Sequence, residues 1–135
     1  MKSSNKIFST ADVVESVFYK SFNQCDFDKM RKVWADDEVV CVHPGSAAIV
    51  GYAAVLRSWQ HILSNAQLPD IQVSVIKRTI SETLAVHLVE EHIETGKQNA
   101  VVLATNVYQK YDSGWLMVEH HGSVIHSQTE PHTLQ

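Results

Sequence analysis

Four long stretches of alternating apolar and polar residues fill the second half of this 135-residue chain, and they restrict the fold more than any other feature. Strands are predicted at 71–79, 83–94, 98–111 and 115–126, with turn residues between them. A strand of about 13 residues spans roughly 43 Å, whereas a compact domain of this length has a radius of gyration of about 14 Å. The strands must therefore twist and bend, through bulges, into a curved sheet.

The first half of the chain has apolar residues at helical spacing instead of alternation. Thr10 and Asp26 are placed to cap two helices, of which the second ends at 35–37. Short strands at 39–43 and 47–50 precede a third helix. Because the helices precede the long strands, the sequence predicts an α+β fold, with three N-terminal helices packed on a strongly curved, mainly antiparallel sheet. The hollow between helices and sheet is the default ligand site.

One domain is predicted at 10–127, between a flexible N-terminus at 1–9 and a polar C-terminal tail at 128–135. Eleven basic and fifteen acidic residues give a net charge of −4, which argues against nucleic acid or an anionic membrane as a partner. Uninterrupted apolar runs such as 100–104 are far too short to span a membrane. Two cysteines do not make a disulfide framework, so we expect a reducing, cytoplasmic location.

Eight histidines are candidates for chemistry, but none has the spacing of a metal-binding motif, and we expect no metal and no cofactor. His43 stands directly before Pro44, which restricts its backbone to extended conformations. It is either a general base at the mouth of a pocket or a structural histidine that bonds to the next loop. Trp34 and Trp59 lie on apolar helix stripes and belong either to the core or to the edge of a polar hollow. The acidic pair at 90–91 is interpreted as solvated charge.

Both faces of the predicted sheet are rich in apolar residues, so both are expected to be covered. The helices cover one face. A second copy of the chain, in a symmetric homodimer, or else a loop or the tail covers the other. One face of the strand at 98–111 carries Ala100, Val102, Ala104, Asn106 and Tyr108. The faces of the last strand carry Trp115, Met117, Glu119, His121 and Ser123 on one side and Leu116, Val118, His120, Gly122 and Val124 on the other.

Short motifs spread along the chain resemble the SnoaL-like branch of the NTF2-like superfamily, which is related to ketosteroid isomerases. The resemblance covers about 10–127 and rests on Trp34-Ala35-Asp36-Asp37, Val42-His43-Pro44-Gly45, Gly51, Ser58-Trp59, Ala104-Thr105-Asn106-Val107, Gly114-Trp115 and His121-Gly122-Ser123. It implies a cystatin-like cone fold. Because His121 and Ser123 match the pattern, the face that carries them is expected to line the hollow. The superfamily includes isomerases, dehydratases, cyclases, hydrolases, transport factors and oligomerisation domains, so the resemblance leaves the function open.

The resemblance also indicates which parts of the steroid isomerase site are missing. His43 stands where that enzyme has its general-base aspartate, directly before the proline. Phe18, which has no hydroxyl, stands where the enzyme has its oxyanion tyrosine, and Tyr19 lies roughly 100° around the helix. Since both groups contribute heavily to proton abstraction next to a carbonyl, a true ketosteroid isomerase activity is not expected.

We therefore predict a pocket protein that binds or transforms a small, mostly apolar molecule by metal-free acid/base chemistry. If it is an enzyme, the reaction is of isomerase, lyase or hydrolase type. The catalytic candidates are His43 and His121. The ligand-binding candidates are Phe18, Trp34, Trp59, Asn106 and Ser123.

The alternative hypothesis is a non-catalytic dimerisation or interaction domain. The same fold resembles the association domain of a calcium/calmodulin-dependent kinase, which assembles rings. The outer sheet face would then be the working surface, and a tight homodimer or larger ring without a ligand is expected. The candidate residues of that face are Val101, Leu103, Leu116 and Val118.

Overall fold

Three helices and six strands follow one another in the predicted order within residues 8–64, 68–96 and 98–128, which the computed structural model describes. The terminal segments predicted at 1–9 and 128–135 lie almost entirely outside these residues. The elements are α1 (Ala11–Gln24), α2 (Phe27–Val33), β1 (Val40–Val42), β2 (Ile49–Val50), α3 (Tyr52–Leu63), β3 (Asp70–Ile80), β4 (Leu84–Thr95), β5 (Gln98–Tyr111) and β6 (Gly114–Gln128). The predicted α+β fold is confirmed.

Both predicted helix caps are present. The Thr10 hydroxyl accepts a hydrogen bond from the Val13 amide at 3.1 Å, and the Asp26 carboxylate accepts one from the Lys29 amide at 3.1 Å. Each bond satisfies an amide of the first helical turn that has no partner within the helix, which stabilises the helix by about 1 kcal/mol. Cys25 ends α1 in the left-handed conformation, with a φ of 51°. The chain therefore turns at once from α1 into α2.

The six strands of the described residues form one sheet in the order β2-β1-β6-β5-β4-β3. Neighbouring strands are antiparallel except for β1, which runs parallel to β6. In this register Val42, the last residue of β1, lies opposite His121 of β6. His43 therefore leaves the sheet beside the middle of β6.

Bulges in the described part of the sheet bend the long strands, as the length argument predicts. Ile76 of β3 and both Val118 and Ile125 of β6 are extra residues with no residue opposite them. Each bulge increases the local twist and turns the strand. The sheet is strongly curved, and the three helices lie against its concave side.

The bulge at Val118 exchanges the two faces of β6 halfway along the strand. Before the bulge Met117 is buried on the concave side, and beyond it His120 takes the inward position. His121 and Ser123 are exposed on the outer face. The expectation that these two residues line the hollow is therefore wrong, because one extra residue reverses every later position in a strand of period two.

The concave face of β5 is the predicted one, with Val102, Ala104, Asn106 and Tyr108 all buried. Helix α1 contributes Phe18 to the same core. Over the part of the chain described here, we find no helix that combines the length and the apolar character needed to cross a membrane.

Candidate functional site

Four buried polar side chains form one hydrogen-bonded chain on the concave side of the sheet. The Tyr19 hydroxyl of α1 donates to Glu91 Oε2 of β4 at 2.5 Å, and Asn106 Nδ2 of β5 donates to the Tyr19 oxygen at 3.0 Å. His120 Nδ1 of β6 lies 2.6 Å from Asn106 Oδ1. None of the four residues is more than 6% exposed. We call Tyr19, Glu91, Asn106 and His120 the inner network.

The direction of these hydrogen bonds fixes the protons of the inner network. Because the Asn106 amide nitrogen donates to Tyr19, its oxygen accepts, and His120 Nδ1 must carry the proton that it receives. The other imidazole nitrogen, Nε2, then has a lone pair and lies 3.9 Å from Glu91 Oε2. A nitrogen with a free lone pair and a carboxyl group therefore face each other in a buried site.

Burial pushes the two titrating groups of the inner network in opposite directions. It raises the pKa of Glu91 to about 7, and the nearby charge of Glu15 adds to this, while the hydrogen bond from Tyr19 acts against it. Burial lowers the pKa of His120 to about 3, with a smaller contribution from His43. Near neutral pH the imidazole is therefore uncharged and the carboxyl group is only partly ionised. The pair is not an ion pair.

A second buried cluster lies one turn earlier on α1, around Glu15. Its Oε2 atom accepts a hydrogen bond from the Tyr108 hydroxyl at 2.9 Å and lies 3.1 Å from His87 Nδ1. Tyr108 and His87 are fully buried. Burial and the charge of Glu15 raise the pKa of Tyr108 well above its ordinary value, so this hydroxyl stays protonated.

His43 lies half-buried at the end of β1, at the rim of the aromatic core. Its Nε2 atom is 3.0 Å from Ser58 Oγ. Since the Ser58 hydroxyl donates its proton to the Val55 carbonyl, His43 Nε2 must be the donor to Ser58. Burial lowers the pKa of His43, so the ring is neutral near pH 7. The imidazole does bond to the following helix, and this contact also holds it in a defined orientation.

Aromatic rings enclose the imidazole end of the inner network. The Phe18 ring lies 5.0 Å from the His120 ring and 5.4 Å from Trp59, centroid to centroid. Trp59 contacts both histidine rings, at 4.9 Å from His43 and 5.9 Å from His120. Trp34 is buried behind Phe18, at 6.5 Å. These rings give the site the apolar walls that strengthen electrostatic interactions within it.

The structure thus brings most of the predicted site residues together. Phe18, Trp34 and Trp59 form the wall, Asn106 belongs to the inner network, and His43 lies beside Trp59. Their roles in binding or catalysis stay predictions. His121 and Ser123 lie on the opposite face, so the sheet separates them from the inner network.

Three functional candidates are not predicted by the sequence. The sequence pattern indicates solvated charge at Glu91, which is 2% exposed, and simple alternation places the buried His120 on the outer face. The resemblance points to Phe18 instead of Tyr19, yet both residues are buried, since α1 is covered on two sides. Strict alternation along β4 places Glu91 on the same face as Ala85, His87 and Val89, and this signal alone could have identified it.

Three comparisons agree with this architecture. A family model described as a SnoaL-like domain matches residues 14–127. A crystal structure from Thiobacillus denitrificans, provisionally assigned as a calcium/calmodulin-dependent protein kinase type II association domain, is 33% identical, with a TM-score of 0.85 over 90% of this chain and 100% of that one. A provisionally assigned dehydratase of the NTF2-like family from Streptomyces avermitilis is 25% identical, with a TM-score of 0.76 over 84% and 93% of the two chains.

The F-box protein SKIP8 of Arabidopsis thaliana is 27% identical over 113 residues, which are 83% of this chain. This chain spans about half of that protein's length, at 48%. The relatives thus include proteins of quite different description on one fold. What they share is the domain itself: the chain belongs to the SnoaL-like domain family of the NTF2-like superfamily.

Proposed function

We propose that this protein binds a compact, mostly apolar molecule with a carbonyl or hydroxyl group and moves a proton on it by acid/base chemistry. One observation carries the proposal: a buried carboxyl group with a pKa of about 7 lies 3.9 Å from an uncharged imidazole in one hydrogen-bonded chain. Pairs of titrating groups whose surroundings push their pKa values apart are typical of acid/base sites.

Each member of the inner network suits a step of such a reaction. Near pH 7 Glu91 is available in both protonation states, so it can give or take a proton without a large energetic cost. His120 Nε2 carries a lone pair and lies beside the Glu91 carboxyl group. The Tyr19 hydroxyl stays protonated, because burial raises its pKa well above its ordinary value, and by turning away from Glu91 it can donate its one proton to a developing oxyanion. The reaction class is proton transfer next to a carbonyl or loss of water.

His43 is the proposed anchor for the polar end of the ligand. It is half-buried, whereas the inner network is closed off by Phe18 and Trp59. Entry of a ligand therefore requires one of these rings to move. The Phe18 position lacks the hydroxyl of the steroid isomerases, but Tyr19 supplies one from the next residue. The hydroxyl donates to Glu91, so it reaches a ligand only when that bond is exchanged.

The test combines native mass spectrometry of the purified protein with a thermal-shift screen of compact carbonyl and hydroxyl compounds. We expect compounds that stabilise the wild type to lose at least about tenfold in affinity in Glu91→Gln and to keep it in Glu90→Gln. Glu90 is the matched control, because it precedes Glu91 on β4 and faces outward. Equal stabilisation of the wild type, Glu91→Gln and His43→Ala by every such compound would sink the proposal, as would the lack of any stabilising compound or retained mass.

A second candidate function is self-assembly, and the similarity to the association domain from Thiobacillus denitrificans favours it. The outer face carries apolar pairs across strands, among them Val86 opposite Val107. Leu103 of β5 and Leu116 of β6 lie on the same face, half-buried in the single chain. A homodimer or ring through this face would cover them. Both candidates assume a cytoplasmic protein, a location that stays a prediction.

Sedimentation velocity at micromolar concentration tests the second candidate. We expect Leu103→Asp to dissociate the assembly, because a charge on the outer face cannot be buried against a second copy. Ser113→Asp adds the same single negative charge in the exposed turn between β5 and β6, serves as the control and should leave the assembly intact. A wild-type protein that sediments as a monomer contradicts self-assembly.

A further inference from the structure

A cluster of three metal-ligating side chains lies outside the inner network, where the start of α1 crosses β4. It consists of Asp12, Glu15 and His87, each of which offers one ligand atom within 4.8 Å of the others. Asp12 and Glu15 are three residues apart on α1, so their carboxylates lie on one side of the helix. His87 faces them from the concave side of β4.

The imidazole of His87 is only half satisfied. Its Nδ1 atom lies 3.1 Å from Glu15 Oε2, whereas its Nε2 atom has no hydrogen-bond partner among the described residues. The side chain is fully buried, so water in the bulk solvent does not satisfy this atom. An unpaired buried polar atom costs about 1–3 kcal/mol, which a ligand at that position would offset.

The atom without a partner lies near the second carboxylate. His87 Nε2 lies 3.7 Å from Asp12 Oδ1, too far for a hydrogen bond. Two ligands of a tetrahedral zinc ion, each bound at about 2.0–2.1 Å, lie about 3.4 Å apart. The observed separation thus needs only a small adjustment to accept a cation between the two atoms.

The neighbours of the cluster resemble the outer shell of a metal site. Glu15 accepts from His87 Nδ1, which leaves the lone pair on Nε2, the arrangement of a carboxylate that orients a metal-binding histidine. The Tyr108 hydroxyl donates to the same carboxylate at 2.9 Å and holds it in place. A cavity of about 200 Å³ lies beside the cluster, with Asp12, Ile80 and Trp115 in its wall.

We propose that His87 and Asp12 bind a divalent transition-metal cation, with Zn²⁺ as the first candidate, while Glu15 orients the imidazole of His87 from its Nδ1 side. One imidazole nitrogen with carboxylate oxygens suits Zn²⁺, Mn²⁺ or Fe²⁺ better than Mg²⁺ or Ca²⁺, which prefer oxygen ligands alone. The bound cation would fasten the first turn of α1 to β4. This site does not rest on the proposed acid/base function.

One charged group competes with the cation. Arg78 of β3 donates from Nε to Asp12 Oδ1 at 3.0 Å, and both side chains are largely exposed. Such exposed ion pairs contribute about 0.2–1 kcal/mol. Removing the guanidinium in Arg78→Gln should therefore strengthen cation binding about 1.4- to fivefold.

Isothermal titration of Zn²⁺ into the chelator-treated protein tests the site. We expect one Zn²⁺ per chain, with an affinity that falls at least about 100-fold in both Asp12→Asn and His87→Gln. The matched control is His92→Gln, which removes an exposed imidazole of the same strand, 3.3 Å from Glu90, and should leave the affinity unchanged. Because Asp12 is exposed, Asp12→Asn keeps the test decisive even if His87→Gln fails to fold.

Two results would overturn the site. Zn²⁺ that binds equally well to the wild type and Asp12→Asn is held by other histidines. No Zn²⁺ binding to the wild type, with no rise in melting temperature when Zn²⁺ is added, shows that the cluster holds no Zn²⁺. Binding to the folded protein must raise the melting temperature, so the thermal measurement is an independent check.

Discussion

The two faces of strands β4–β6 carry the same kinds of side chain in opposite surroundings. Glu91 is buried in the inner network, and Glu90, one residue earlier, faces outward. His120 is buried beside Phe18, and His121, one residue later, is exposed. The two residues of each pair are neighbours in one strand, and successive side chains of a strand point to opposite faces. The comparison teaches that the surroundings, rather than the residue type, give an acidic or basic side chain its chemistry.

The largest expected effect comes from placing a charge on either face of β4. Val89 is fully buried between the positions of His87 and Glu91, whereas Leu88 is half-buried on the outer face. Val89→Asp should lower the free energy of unfolding by about 4 kcal/mol or more, because the new carboxylate has no partner in an apolar core. Leu88→Asp should cost about 1 kcal/mol in the single chain. Urea denaturation measures both.

The Leu88→Asp variant also distinguishes a loss of assembly from a loss of folding. If the outer face is covered by a second copy, this variant becomes monomeric while its chain stays folded. Equal destabilisation by the two substitutions would show that both faces are buried alike, and the comparison would fail.

The next effect is a pH dependence that arises from the inner network alone. Glu91 changes from an ordinary pKa of 4.5 to about 7 on folding, so the folded protein holds the extra proton and stability falls as the pH rises through this window. His120 changes from 6.5 to about 3, so the unfolded chain holds the extra proton and stability rises with pH. Each slope is about 1.4 kcal/mol per pH unit. The contributions of this pair cancel between pH 4.5 and 6.5.

Removing one member of the pair should reveal the other. In Glu91→Gln the falling contribution is gone, so the free energy of unfolding should rise steadily from about pH 3 to about pH 6.5. His43, whose pKa is also lowered by burial, contributes in the same direction. Chemical denaturation at a series of pH values measures the slope. Glu90→Gln is the outward control, and a profile for Glu91→Gln that matches the control contradicts the assignment.

A smaller effect follows from removing one hydroxyl, either the buried one of Tyr19 or the exposed one of Tyr111. Tyr19→Phe leaves Glu91 Oε2 and Asn106 Nδ2 without the bonds that they make to the hydroxyl, which should cost about 1–3 kcal/mol. Tyr111→Phe removes an exposed bond of 3.2 Å to Asp37 and should cost about 0.5 kcal/mol or less. Thermal denaturation compares the two.

The Tyr19→Phe variant has a second expected consequence. The hydroxyl bond lowers the pKa of Glu91, so its loss should raise that pKa further. NMR of the Glu91 carboxyl carbon follows this titration. An unchanged titration together with a cost equal to that of Tyr111→Phe would mean that the hydroxyl bond to Glu91 does not form.

The parts of the fold that depend on local signals could be predicted from the sequence. Thr10 and Asp26 cap the helices where the spacing of apolar residues begins, and alternation along β5 identifies Asn106 as an inward residue. Each of these signals lies within a few residues of the feature that it predicts. The element order and the α+β class follow from such signals alone.

The candidate site depended on features that local patterns do not contain. No residue near Val118 marks a bulge, because the bulge is set by the pairing with β5, and so the sequence assigned His121 inward instead of His120. Tyr19 lies off the main apolar stripe of α1, and its burial requires both the sheet and the other helices. A site residue could be predicted where the pattern of its own strand determines its face. It could not be predicted where its position depends on the packing or pairing of two elements.

The smallest expected effect tests the bulge through the position that follows His121. Gly122 faces inward, and a Cβ atom there would lie 3.1 Å from Val102 Cγ1 and 3.3 Å from Pro44 Cγ. Gly122→Ala should cost about 0.5–1 kcal/mol, because the valine and proline side chains are stiff and the loss of unfolded-chain entropy offsets only part of the crowding. Ser123→Ala, on the exposed outer face, should stay within about 0.5 kcal/mol of the wild type. Because Pro44 follows His43, Gly122→Ala should also shift the NMR signals of the His43 ring, and Ser123→Ala should not. The reverse order of effects would mean that Ser123 faces inward, as simple alternation without the bulge predicts.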